Sequence, residues 1–152
     1  MSGPPPPWLL RTVNPFVRVV LRSPMHGLLG RRLILLEYTG RRSGRAYAIP
    51  IGYFRWEPDE LLCFTSRRWW TNLRDGDAVS VVLRGRLREA TPSVLRSLDE
   101  RARLLREVAR RFGPQAYRRI FASLPTDREP TEAEARAAAD RLFAVRFVLR
   151  AG

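Results

Sequence analysis

Between Leu33 and Leu95 the chain is a succession of short apolar or β-branched runs, each closed by a turn signal. Leu33–Thr39 stops at Gly40. Ala46–Trp56 stops at Glu57-Pro58-Asp59-Glu60, and Leu61–Ser66 follows. Ala78–Leu83 runs into Arg84-Gly85, which reads as a bulge or hairpin turn before Leu87–Leu95. Arg67–Asp75, between the third and fourth runs, reads as a short helix or tight loop. Several short strands at this spacing predict an antiparallel barrel or sandwich. No internal repeat interrupts the pattern.

Helical grammar brackets the strands. Residues 1–7 are Pro-rich and read as an extended tail, with one domain expected over residues 14–152. Asn14-Pro15 is an N-cap followed by proline at the first helical position, and Pro24 ends that helix. Met25–Leu29 reads as a second short turn. Ser97 and Glu100 fit a capping box for a helix over Leu98–Phe112. Gly113 closes it, and Pro114 opens another bearing Tyr117, Ile120, Phe121 and Leu124. Thr131 and Glu134 form a second capping box for Thr131–Asp140, and Leu142–Arg150 reads as a closing strand. The arginines of Leu98–Phe112 are expected on a solvated outer face.

At 152 residues, 45% of them apolar, the chain is long enough for one globular core. It carries a net charge of +13 and contains no lysine, so every basic residue is an arginine. That excess favours anionic partners. The arginines are spread along the chain rather than gathered in a patch with exposed aromatics, so nucleic acid is not expected. Cysteine and histidine occur once each, as Cys63 and His26, which excludes an internal disulfide and a zinc site needing several N/S ligands. Cys63 reads as a small buried hydrophobe and His26 as a surface or cap residue. No apolar run approaches the ~18 residues of a membrane span, and no leader is visible, so a cytoplasmic protein is expected.

Chemistry concentrates in three segments. Thr39-Gly40-Arg41-Arg42-Ser43-Gly44-Arg45 packs guanidinium forks, a hydroxyl and two glycines into one loop, a composition suited to phosphate or carboxylate. Thr65-Ser66-Arg67-Arg68 repeats the theme at the end of the third strand. Trp69-Trp70-Thr71-Asn72 adds a tryptophan pair, of which one is expected in the core and one at the surface, or else over a flat ring. Glu37 lies in an apolar strand beside the basic loop and is expected to pair an arginine. With no nucleophile constellation and no metal cluster, redox chemistry on a bound organic cofactor fits better than hydrolysis.

The order of these segments resembles the deazaflavin (F420)-dependent nitroreductase family, whose members read T-G-R-K-S-G-x-x-R, V-P-L, A-S and W-Y-x-N-L. Here the matching residues are Thr39–Arg45, Ile49-Pro50-Ile51, Thr65-Ser66 and Trp70–Leu73, within residues 33–90. The resemblance implies a split antiparallel β-barrel like that of FMN-binding and pyridoxamine-phosphate oxidases; with the N-terminal helix and the helices before a last strand read above, the expected fold class is α+β. It implies F420, whose tail bears a phosphate and glutamates. Arg41, Arg42, Ser43, Gly44 and Arg45 would hold the anionic tail. Pro50 and Ile51 would line the ring, with Thr65 and Ser66 near it and Trp70 and Asn72 on the far side. The chain departs from the family in joining Ser66 to Trp69 through only Arg67 and Arg68, in the Gly52-Tyr53 that follows Pro50-Ile51, and in the helices of residues 97–140.

The resulting expectation is a hydride-transferring oxidoreductase acting on a small electrophile such as a quinone, nitro compound or enone. Tyr53, Tyr117 or water would supply the proton, and a homodimer is expected for this barrel class. The alternatives are an FMN-binding reductase on the same barrel, and a non-catalytic protein for an anionic ligand or membrane surface, docking through residues 8–30.

Overall fold

The structure, a computed structural model, describes residues 32–151. The Pro-rich tail, the helix from Asn14, the turn at Met25–Leu29 and His26 lie outside the described residues. Seven strands follow: Leu33–Thr39 (β1), Ala46–Gly52 (β2), Phe54–Glu57 (β3), Glu60–Thr65 (β4), Val79–Leu83 (β5), Arg86–Leu95 (β6) and Phe143–Leu149 (β7). Two α-helices, Leu98–Phe112 (α1) and Glu132–Ala139 (α2), precede the last strand.

The strands form one antiparallel sheet in the order β2-β1-β5-β6-β7-β4-β3. The strand expected over Ala46–Trp56 is in fact two, broken at Tyr53. That break shapes the molecule. β2 and β3 sit at opposite edges of the sheet, yet one residue joins them, so the sheet has to curl until its edges meet. The apolar character runs straight through Gly52-Tyr53, which is why the sequence looks continuous there. Tyr53 turns inward and is 4% exposed.

Strand alternation divides the apolar residues between two cores. On β4, Leu61 and Cys63 point into the barrel with Ile34, Val81, Val145 and Phe147. Leu62 and Phe64 point outward and are covered by α1 and α2 through Leu105, Val108, Ala135 and Ala139. Arg84 and Gly85 both take positive φ, 51° and 76°, the two-residue hairpin turn whose twist matches its strands.

Ser97 Oγ caps α1 by accepting the Glu100 N–H at 3.3 Å, and at α2 the Thr131–Glu134 box is formed in both directions. Gly113, at φ 84°, ends α1. Pro114–Ile120 is a 3-10 helix rather than the α-helix its apolar spacing predicts. Its buried anchor is Tyr117, whose hydroxyl donates to the Leu105 carbonyl. Phe121 caps this segment in the left-handed region and is 94% exposed, so it is not part of an apolar helix face. Arg101 is likewise not on a solvated surface. It is buried, stacks on Phe143, and donates to the carbonyls of Ala139, Leu95 and Arg96. Among the described residues no helix is long and apolar enough to cross a membrane.

Candidate functional site

The barrel is open on one side. β3 is short, and its first residue, Phe54, pairs with Leu62, so Cys63–Thr65 of β4 run on past it. They face β2, whose ladder partner among the described residues is β1. Pro50 lies on this edge strand, where it presents no N–H with which the gap could be closed. Between β2 and the end of β4 lies a cleft of about 1600 Å³.

The basic loop forms one end of the cleft. Gly40 N–H donates to the Arg45 carbonyl at 2.7 Å, and Gly44 N–H donates back to the Gly40 carbonyl at 2.9 Å. Gly44 has φ 67°. Gly40 is needed for a different reason: a Cβ there would lie 2.6 Å from Ser43 Oγ and 2.8 Å from Tyr47 Cε2. Ser43 Oγ accepts the Arg45 N–H at 3.2 Å, which folds the loop tip. Asn72 reaches across from another segment, its Oδ1 accepting the Arg41 N–H at 2.9 Å. Its amide nitrogen donates to the Trp69 carbonyl at 3.1 Å. Asn72 therefore ties the 3-10 turn Trp69–Asn72 to the loop.

Thr65 organises the second segment. Its hydroxyl oxygen accepts from Arg67 N–H at 2.9 Å and from Trp69 Nε1 at 3.1 Å. With both acceptor positions used, its own O–H is left to donate. The tryptophans divide as a core and a surface residue would. Trp69 stacks near Phe147 inside the barrel, 6.5 Å between ring centres, and its edge reaches the cleft. Trp70 is half-buried and turns to Phe143, at 4.6 Å, with the Arg96 guanidinium 5.9 Å from its ring centre.

Of the residues expected at the site, Arg41, Arg42, Ser43, Pro50, Ile51, Thr65, Ser66 and Asn72 line this cleft. Gly44, Arg45 and Trp70 do not. Gly44 faces a smaller depression on the other side of the loop, which also receives Glu37. Tyr38, Tyr47, Arg119 and Phe121 join them, with no local signal to mark them beforehand. Tyr38 and Tyr47 are partners across the β1–β2 hairpin and stack at 5.4 Å, a pairing readable only once the register is known. Burial, with Tyr47 beside it, raises the Tyr38 pKa above that of a free phenol. Arg119 and Phe121 arrive from the 3-10 segment far along the chain.

Five arginines line the cleft, Arg41, Arg42, Arg67, Arg68 and Arg119, and no carboxylate does. Among the described residues none of the five is in an ion pair. The carboxylates of Glu107, Glu129, Glu134 and Asp99 are instead bridged to arginines of the helical layer. The proton donors expected from the sequence lie elsewhere. Tyr117 is sealed in the outer core, where burial raises its pKa to about 12, and Tyr53 is inside the barrel. Cys63 is fully buried and its thiol is pushed far above the ordinary range. Among the described residues no group of three His, Cys, Asp or Glu could hold a metal ion.

Comparison with known proteins agrees with this fold. No curated protein sequence matches. Among solved structures, one described as a domain-swapped dimer is similar over 93% of this chain and 96% of its own, with 20% identity and a TM-score of 0.50. HutZ, the heme storage protein of Vibrio cholerae, is similar over 91% of each chain, with 14% identity and a TM-score of 0.50. Both likenesses concern the fold, a split β-barrel. The family model for F420H(2)-dependent quinone reductases matches residues 9–129, from before β1 to the loop preceding α2. This chain is a member of the F420H(2)-dependent quinone reductase family.

Proposed function

We propose that the chain binds F420 in the cleft between β2 and β4 and serves the reduction of a small electrophile of the quinone class. The observation that carries this reading is the charge of the cleft: it is lined by five guanidiniums and no carboxylate, and among the described residues none of the five is in an ion pair. A tail of phosphate and glutamates supplies counterions to Arg41, Arg42, Arg67 and Arg68. The donor set fits in kind. Arg41 and Arg42 present planar forks and Ser43 a hydroxyl at one end, while Pro50 and Ile51 offer an apolar wall for a flat ring. Thr65 directs its O–H to a ring acceptor. Arg67 and Arg68, in the shortened link, add positive charge where the family has a longer loop.

F420 in its reduced form supplies a hydride, which together with one proton converts a quinone to its hydroquinone. The protein's share is to neutralise the tail, hold the ring against β2 and limit water on that face. Tyr53 and Tyr117 are buried outside the cleft, so water entering the open side is the proton source in this reading. A cytoplasmic, homodimeric protein accompanies it, the dimer resting on the likeness to a domain-swapped dimer. The segment that would meet a membrane surface falls in residues 8–30, outside the described residues, and no such role is proposed.

A fluorescence titration with F420 and FMN side by side tests this. F420 should bind in the micromolar range, more weakly as salt rises. Arg42→Ala should cost about tenfold, as expected for a charge-assisted contact worth ~1.5 kcal/mol. Binding of FMN without F420 would replace this reading with the flavin alternative, and binding of neither would sink it.

A further inference from the structure

The cleft has a second end. β2 runs away from the basic loop, and the distance from Tyr47 to Gly52 is about 17 Å at ~3.3 Å per strand residue. At that far end stand Arg119, Ile120 and Phe121. The Arg119 carbonyl lies 3.8 Å from where a Gly52 Cβ would be, which fixes the 3-10 segment against the end of β2.

Two features of this end bear on binding. Phe121 holds φ 54° and ψ 32°, a conformation costing a non-glycine residue about 1–2 kcal/mol, and its ring gains no burial in return, being 94% exposed. The segment behind it is anchored by buried Tyr117 and Ile120, so the ring is presented from a fixed base. Arg119 is half-buried. Its guanidinium stacks on Phe54 at 4.6 Å and donates to the Tyr53 carbonyl at 3.0 Å. Desolvation and the nearby Arg32 both work against its charge. No carboxylate lines either cavity that Arg119 borders. A half-desolvated cation next to an unburied aromatic ring, both on the wall of one cleft, is a receptor for a flat apolar molecule with an acidic substituent.

We propose that Arg119 and Phe121 form the substrate subsite of this cleft, selecting a flat aromatic or quinonoid ring that carries a carboxylate or similar anionic oxygen group. Phe121 stacks on the ring and Arg119 holds the anion. This deepens the functional reading above by naming the substrate class, and it rests on that reading only for the chemistry, not for the binding.

The test is calorimetric titration of the cofactor-free full chain with naphthalene-2-carboxylate and with 2-methylnaphthalene, which share a ring and differ in charge. Naphthoate should bind at least tenfold more tightly. Arg119→Met keeps the stem over Phe54 and should abolish that preference, leaving 2-methylnaphthalene unchanged. Phe121→Gly suits the left-handed backbone, so its melting temperature should hold or rise while both ligands weaken about tenfold. Equal affinity of the two ligands for the native chain, or a preference that survives Arg119→Met, overturns the proposal. So does a Phe121→Gly chain that keeps native affinity but changes its sedimentation, which would make Phe121 a contact between copies. F420 titration of the native chain separates the two readings. Naphthoate selectivity without F420 binding leaves the subsite and removes the cofactor. F420 binding without naphthoate selectivity does the reverse.

Discussion

Gly40 and Arg101 show how single residues set the working surfaces. At Gly40 a methyl group would overlap Ser43 Oγ and Tyr47 Cε2, and the loop tip would have to move as a unit because Asn72 holds Arg41 from the other side. Gly40→Ala should therefore cost about 1–3 kcal/mol of stability, as overpacking does. It should also weaken F420 binding more than that loss explains. A variant with native urea midpoint and native F420 affinity would refute the tight-loop account. Arg101 tests the opposite kind of role. Its guanidinium serves the Leu95, Arg96 and Ala139 carbonyls, joining the end of β6 to α1 and to the C-terminus of α2. Arg101→Met fills similar space but strands those acceptors, and it should lower stability by about 3 kcal/mol in chemical denaturation. F420 affinity should be unchanged, since Arg101 does not line the cleft. The sequence placed Arg101 among solvated helix arginines because its spacing gives no sign that the chain turns back over it.

At the scale of elements, local signals translated well and non-local ones did not. β1, α1 and the α2 cap follow from apolar runs bounded by glycine, serine or threonine, all of which act within a few residues. The break at Tyr53 is invisible because both faces there are buried, one in each core. Tyr117, Ile120, Phe121 and Leu124 satisfy a helical spacing, yet the backbone takes a tighter helix and turns Phe121 out. Most of the site was legible because Thr39–Arg45 and Thr65–Asn72 are contiguous motifs. Tyr38, Tyr47, Arg119 and Phe121 were not, because they depend on hairpin register or on the path of a distant segment. The α2 cap offers an element-scale prediction. Hydrogen bonds from Arg128 and from the Thr131 N–H hold Glu134 down to about 2. A depressed carboxylate contributes stability above its unfolded value, near 4.5, and that contribution fades as pH falls toward 2. NMR should show the Thr131 amide losing its Glu134 partner in that window while β-sheet amides persist. Loss already complete at pH 5 would contradict the capping box.

For the molecule as a whole, the absence of lysine gives an unusually simple alkaline titration. Tyr117 is raised to about 12 by burial. A raised group contributes its full stability below its unfolded value, near 10, and loses that contribution as pH climbs through 12. Tyr117→Phe should be less stable than the native chain at pH 8, because the Leu105 carbonyl loses its donor, but the gap should narrow as pH rises above 10. A gap that widens with alkali would show that Tyr117 is not sealed as described.

β7, the strand nearest the C-terminus, lies in the middle of the sheet, with β6 on one side and β4 on the other. The two halves of the sheet, β2-β1-β5-β6 and β4-β3, meet through it and through Tyr53. During synthesis on a ribosome, neither half can be zipped to the other until residues 143–149 have cleared the exit tunnel. The barrel is therefore a fold that waits. Its nucleus has to bring distant parts of the chain together, its folding should be slow for its size, and its apolar strands need protection in the meantime.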